Sequence, residues 1–113
     1  MIRTVLYRNA AKQLTGYSAK GHSGYAEEGS DIICAAVSIL GATCVNSLES
    51  VAGVIPHITA NDDGILEFHL PDGLDELPMH DAQVLLGALK QGLSDLAEQF
   101  PQYVRLSIQD WRK

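Results

Sequence analysis

Residues 79–100 constrain the fold more than any other stretch. Apolar side chains recur there at Ala82, Leu85, Leu86, Leu89, Leu93, Leu96, Ala97 and Phe100. That is a 3.6-residue period, so the spacing predicts a helix with one apolar stripe, stopped by Pro101. A stripe of this kind has to be covered by a second layer. The rest of the chain offers mainly short segments that alternate or are rich in β-formers. Residues 2–8 read as a first strand, with Ile2, Thr4, Val5, Leu6 and Tyr7. Residues 12–20 read as a second strand, paired with the first as an antiparallel hairpin. Residues 57–60 and 65–70 read as two more, joined by Asn61-Asp62-Asp63-Gly64, which has strong turn chemistry. Residues 71–78 read as a loop. A last strand covers 103–109, with Val104, Leu106 and Ile108 on one face.

A second helix is predicted over residues 32–52. Ser30 or Asp31 can cap its start, because each has a side-chain oxygen that accepts from a free backbone N–H. Gly53 ends it and Pro56 prevents its continuation. Gly41-Ala42-Thr43-Cys44 are all small, which lets this helix approach its neighbours closely. Gly41 costs about 1 kcal/mol of helix propensity, so close packing is expected there. The order is β-β-α-β-β-α-β. The expected class is α+β: two layers, with both helices on one face of a mostly antiparallel sheet. Residues 1–113 show no repeat, no low-complexity tract and no linker, so one domain is expected.

Charge is unevenly spread. The net charge is −6, and all eight Lys and Arg lie in residues 1–20 or 90–113. Between Gly21 and Leu89 there are eleven acidic residues and no basic ones. A nucleic-acid binder needs cations to displace counterions from phosphate, so direct nucleic-acid binding is not expected. An acidic middle attracts a basic partner, and it also serves solubility alone. The first residues carry two arginines and alternate like a strand, so no signal peptide is expected. No apolar run reads as a membrane span.

The two cysteines, Cys34 and Cys44, fall ten residues apart in one predicted helix. Ten helical residues span roughly 15 Å, beyond disulfide reach. They read as free thiols in a reducing cytosol. His57, His69 and His80 have no metal-ligand spacing with either cysteine.

The chemistry concentrates at residues 21–38. His22 ends an extended segment. A small, polar, glycine-containing loop follows over 23–30, with the composition of a mobile lid. Cys34 then falls in the first turn of a helix. A thiol reacts as its thiolate, which a helix N-terminus favours. An imidazole nearby can take the thiol proton and return it to a leaving amine. The same helix end offers backbone N–H groups to an oxyanion. Asp31, one turn before Cys34, can orient His22, cap the helix or contact a basic substrate residue. Ser38 shares the Cys34 face and can bond to the pair, to substrate or to its own backbone. Composition alone favours reading Cys34 as one more small buried residue on an Ala/Cys/Val face.

Gly21-His22, an eight-residue loop, and then Asp31-Ile-Ile-Cys34-Ala-Ala-Val-Ser38 resemble the signature of the ribosomal-processing cysteine protease family, Prp. The likeness extends to the element order over nearly the whole chain. It implies a cytoplasmic cysteine endopeptidase that removes a short N-terminal extension from a large-subunit ribosomal protein, cutting after an aromatic residue. Cys34 would be the nucleophile and His22 the base. Gly21, Asp31 and Ser38 match the motif as supporting or substrate-binding positions. The position after His22 is often alanine in such proteins and is Ser23 here, a change expected to affect only local packing. The resemblance further implies a homodimer, no metal or organic cofactor, and a basic ribosomal protein as peptide substrate. Two other readings stand beside it. One is a non-catalytic binding or assembly factor for a basic ribosomal protein. The other is a thiol redox sensor, for which Cys44 is badly placed as a resolving cysteine.

Overall fold

A computed structural model describes residues 1–27 and 31–111 of the chain. Seven elements follow in order: β1 (Ile2–Arg8), β2 (Leu14–Lys20), α1 (Ile32–Ser50), β3 (His57–Asp62), β4 (Ile65–His69), α2 (Glu76–Gln99) and β5 (Val104–Asp110). The class and element order are those expected from the sequence. The five strands form one sheet in the order β3-β4-β2-β1-β5. Every neighbouring pair is antiparallel except β1 and β5.

Directly opposed residues share a sheet face. Ile108, Leu6, Tyr17, Phe68 and Ile58 thus form one row across all five strands. Leu6, Tyr17 and Phe68 in its centre are fully buried. Both helices cover this face. Gly41 of α1 packs where a Cβ would lie 3.2 Å from the Tyr17 ring and 2.9 Å from Leu66, the close approach that its small size predicts. Gln83 of α2 ties that helix to the start of β2, accepting from the Leu14 N–H and donating to the Leu14 carbonyl, both at 2.7 Å. Leu40 of α1 packs against Gly92 of α2. The opposite face carries Tyr7, His69 and Trp111 in mutual ring contact.

Three of the boundaries that differ from expectation stand out. β2 starts at Leu14 because Lys12 takes a left-handed φ of 68°. There the Asn9 side chain closes a turn by accepting from the Gln13 N–H. α2 starts at Glu76, before Pro78. Pro78 falls in the first turn, where backbone N–H groups have no helical partner to lose. The β3–β4 connection is tighter than the four residues expected, since Asp62 pairs with Ile65.

One expectation is corrected. By length and composition α1 is apolar enough to cross a membrane. Its Ile33, Val37, Gly41, Cys44, Val45 and Leu48 are instead buried in the core shared with the sheet and α2. A helix that is apolar on several sides is what a core helix and a span have in common.

Candidate active site

The strand order brings the site together. Lys20 at the end of β2 pairs with Ile65 at the start of β4. Gly21 therefore emerges beside the β3–β4 turn, where its N–H donates to the Gly64 carbonyl at 2.9 Å. Gly21 has φ +98°, and a Cβ there would lie 2.7 Å from the Met1 carbonyl oxygen, so this position requires glycine. His22 follows directly, with its imidazole against Gly64. Among the described residues none hydrogen-bonds the ring.

Asp31 is the N-cap of α1. Its Oδ1 accepts from the N–H groups of Ile33 (3.0 Å) and Cys34 (2.9 Å). This makes Cys34 the third helical residue, half-buried, with its sulfur toward the loop that carries His22. The Ser23 N–H donates to Cys34 Sγ at 3.3 Å. The Ser23 hydroxyl donates to Asp31 Oδ2 and accepts from the Tyr25 N–H at 3.0 Å. Tyr25 in turn sets its ring edge-on to Phe100 and Tyr103.

Burial pushes the Asp31 carboxyl up. Hydrogen bonds from Ser23, from the Cys34 amide and thiol, and from the Ile33 amide outweigh it and hold the group down at about 2. Asp31 is a carboxylate at neutral pH, with both oxygens engaged by the cap and by Ser23. Of the three roles open to it from sequence, this geometry is that of the cap. The same bonds bear on the oxyanion expectation. The Ile33 and Cys34 amides serve Asp31, and the Ala35 amide donates to the Asp31 carbonyl at 3.1 Å. The first turn is largely taken, and the amide that donates to the sulfur is that of Ser23.

His22, Asp31, Cys34 and Ser38 all line one cleft of about 610 Å³. Ser38 sits one turn beyond Cys34, exposed on the same helix face. Ile2, Val37, Val45 and Leu66 contribute apolar lining. Asp62 and Asp63 stand in the wall, so the acidic turn is more than a chain reversal. Cys44 lies elsewhere, buried, with its thiol toward the Leu85 carbonyl at 3.8 Å and burial pushing it up to about 12.

Sequence reasoning misses two residues. Gly64 reads only as turn chemistry, and its place against His22 depends on the non-local pairing of β2 with β4. Ser23 is expected to matter only for packing, yet it bonds to Asp31, Tyr25 and Cys34 together. A hydroxyl between His22 and a capping Asp31 is the available signal. The lid expected over residues 23–30 lies partly outside the described residues, as do Gly29 and the alternative cap Ser30. Its first part is fixed at Ser23, which is only 3% exposed.

Comparison with known proteins decides the family. The model of the family described as cysteine protease Prp matches residues 1–105. This chain belongs to the Prp family. It is therefore a cysteine-type peptidase of the ribosomal-processing group. The ribosomal processing cysteine protease Prp of Bacillus subtilis (strain 168) is 27% identical over 108 residues, covering 95% of this chain and 96% of that protein. The crystal structure of the Prp protease from S. aureus, in complex with a covalently linked product peptide, superposes with a TM-score of 0.84. It is 25% identical and covers 96% of this chain and 99% of that one. SMU.848 from Streptococcus mutans superposes with a TM-score of 0.81 at 30% identity, over 98% of this chain and 96% of that one. The Prp fold thus extends over the described chain.

Proposed function

We propose that the chain is a single-domain endopeptidase with a Cys34–His22 dyad. It removes the N-terminal extension of a large-subunit ribosomal protein, cutting after an aromatic residue, in the cytoplasm where that protein is made. The observation that carries this reading is the shared cleft: an imidazole on the β2 exit and a thiol at the third position of α1 open onto one cavity. Apolar lining from Ile2, Val37, Val45 and Leu66 suits an aromatic side chain, and Asp62 and Asp63 suit a basic peptide.

The cycle follows from these positions. The Cys34 sulfur, its proton taken by His22, adds to the scissile carbonyl carbon. The tetrahedral species collapses as the C–N bond breaks, and His22 returns the proton to the leaving amine. Water then adds to the thioester, with His22 taking its proton. The C–S bond breaks, the extension leaves as a carboxylic acid, and the thiol is restored. Ser38 and Gly21 support the dyad: Ser38 as a hydroxyl within the cleft, Gly21 by seating His22 beside Gly64.

The family likeness also supports a homodimer that works without metal or organic cofactor. Ile32 and Ile39, seven residues apart on α1 and each more than 60% exposed, are apolar surface suited to a second copy. Sedimentation of Ile39→Lys against wild type tests this, with a monomeric wild type rejecting it.

The deciding experiment mixes wild type, and separately Cys34→Ala, with a peptide copying the extended N-terminus of the cognate ribosomal protein. One cut by wild type and none by the variant is expected. Binding by both proteins with no cut by either identifies an assembly factor instead.

A further inference from the structure

The described loop after His22 is built around one side chain. Ser23 is 3% exposed and Asp31 8%. The Ser23 hydroxyl lies between two partners: it donates to Asp31 Oδ2 and accepts from the Tyr25 N–H at 3.0 Å. The Ser23 backbone N–H is left to point at Cys34 Sγ, 3.3 Å away. Asp31 Oδ1 holds the Cys34 amide at 2.9 Å. The four groups close a ring, from the Ser23 amide to the Cys34 sulfur, along Cys34 to its own amide, through the Asp31 carboxylate and back to the Ser23 hydroxyl.

We infer that Ser23 is a positioning residue, whose hydroxyl clamps the loop to Asp31 and so fixes its own N–H on the Cys34 sulfur. The inference rests on the reading of Cys34 as the nucleophile. Two effects act in one direction. A fixed N–H stabilises negative charge on sulfur. A hydroxyl bonded to Asp31 draws that carboxylate's charge away from the sulfur. The other titratable groups of the cleft are His22 on the loop and Asp62 and Asp63 on the β3–β4 turn. None of them is in the ring, so they act equally on wild type and on variants at position 23. Alanine at this position keeps the N–H and loses the clamp. A sequence with alanine there has to hold the amide by other means.

The test reads the sulfur directly. The rate of Cys34 alkylation by iodoacetamide is followed across pH for wild type, Ser23→Ala and Ser23→Thr, each also in an Asp31→Asn background. Asparagine still caps the helix. Ser23→Ala should slow alkylation about three- to tenfold near neutral pH and move the profile to higher pH, as loss of a charge-assisted hydrogen bond requires. Ser23→Thr should restore it. In the Asp31→Asn background Ser23→Ala should have less than about a twofold effect, since the pair acts as one unit. A wild-type profile in Ser23→Ala overturns the inference. So does a Ser23→Thr that behaves like Ser23→Ala, or an equal shift with and without the Asp31 carboxylate. Peptide cleavage is scored in parallel. A wild type that alkylates as expected but never cuts rejects the protease reading and leaves the clamp intact.

Discussion

Gly64 meets the imidazole of His22 with a bare Cα: a Cβ built there would lie 2.9 Å from Nε2 and 3.3 Å from Cε1. The β3–β4 turn is thus the seat of the ring. Gly64→Ala also forces a side chain onto φ +72°, at a cost of about 1 kcal/mol or more. The ring has to move, and a misplacement near 1 Å costs on the order of a hundredfold in rate. We expect kcat/KM for the peptide to fall by that order while the fold persists by circular dichroism. Unchanged kcat/KM would show that His22 is positioned by something else.

Cys34 and Cys44 should separate cleanly by reactivity. Burial raises the Cys44 thiol to about 12, while Cys34 is half-buried at the cleft. Native protein near neutral pH should take up one equivalent of iodoacetamide, placed on Cys34 by tandem mass spectrometry. Denatured protein should take up two. Rapid native labelling of Cys44 would mean that α1 opens from α2.

Asp31 gives the stability a specific dependence on acid. Its carboxyl falls from an ordinary 3.8 to about 2 in the folded chain. A group depressed on folding contributes stability that is complete above its unfolded value and is lost as pH falls toward the folded one. Asp31→Asn should therefore be less stable than wild type at neutral pH. The gap should close between roughly pH 4 and pH 2. Urea unfolding across that window measures it, and a gap that stays constant would rule out the carboxylate as its source.

Gly16 makes room for His69 on the open face of the sheet. The ideal Cβ position at 16 collides with His69 Nδ1. His69 stacks on Trp111, with ring centroids 4.3 Å apart, and Nε2 meets Glu67 at 2.9 Å. Gly16→Ala should shift Trp111 fluorescence and cost about 1–3 kcal/mol, as overpacking does. Cleavage should hardly change, because the cleft is on the other side. A large loss of activity without loss of stability would link the two faces.

Much of this is legible in the sequence because the signals are local. The stripe of α2, the alternation of β1 and the turn residues before Ile65 each act over a few positions. So does Asp31, whose cap brings Cys34 into the first turn. What is not legible depends on pairing across the chain. The contact of Gly64 with His22 needs β2 beside β4, and no local pattern encodes that order. The start of α2 is hidden because proline is a breaker in most of a helix and harmless in its first turn. Ser23 is undervalued because a hydroxyl's partners are set by the whole loop.

The parallel pairing of β1 with β5 has a consequence for how the chain is made. Ile2 lies opposite Val104, and the Ile2 N–H donates to the Tyr103 carbonyl at 2.8 Å. Ile2 is also part of the cleft lining. One ladder that holds Ile2 in this lining therefore waits for a strand about a hundred residues later, and contacts of such sequence separation form slowly. During synthesis, His22, Cys34 and the β3–β4 turn leave the ribosome well before β5 does. A nascent chain then carries its thiol and imidazole before β1 has its second neighbour in the sheet. Until the last strand docks, β1 is held in the sheet by β2 alone, and the ladder beside Ile2 is open on its other side.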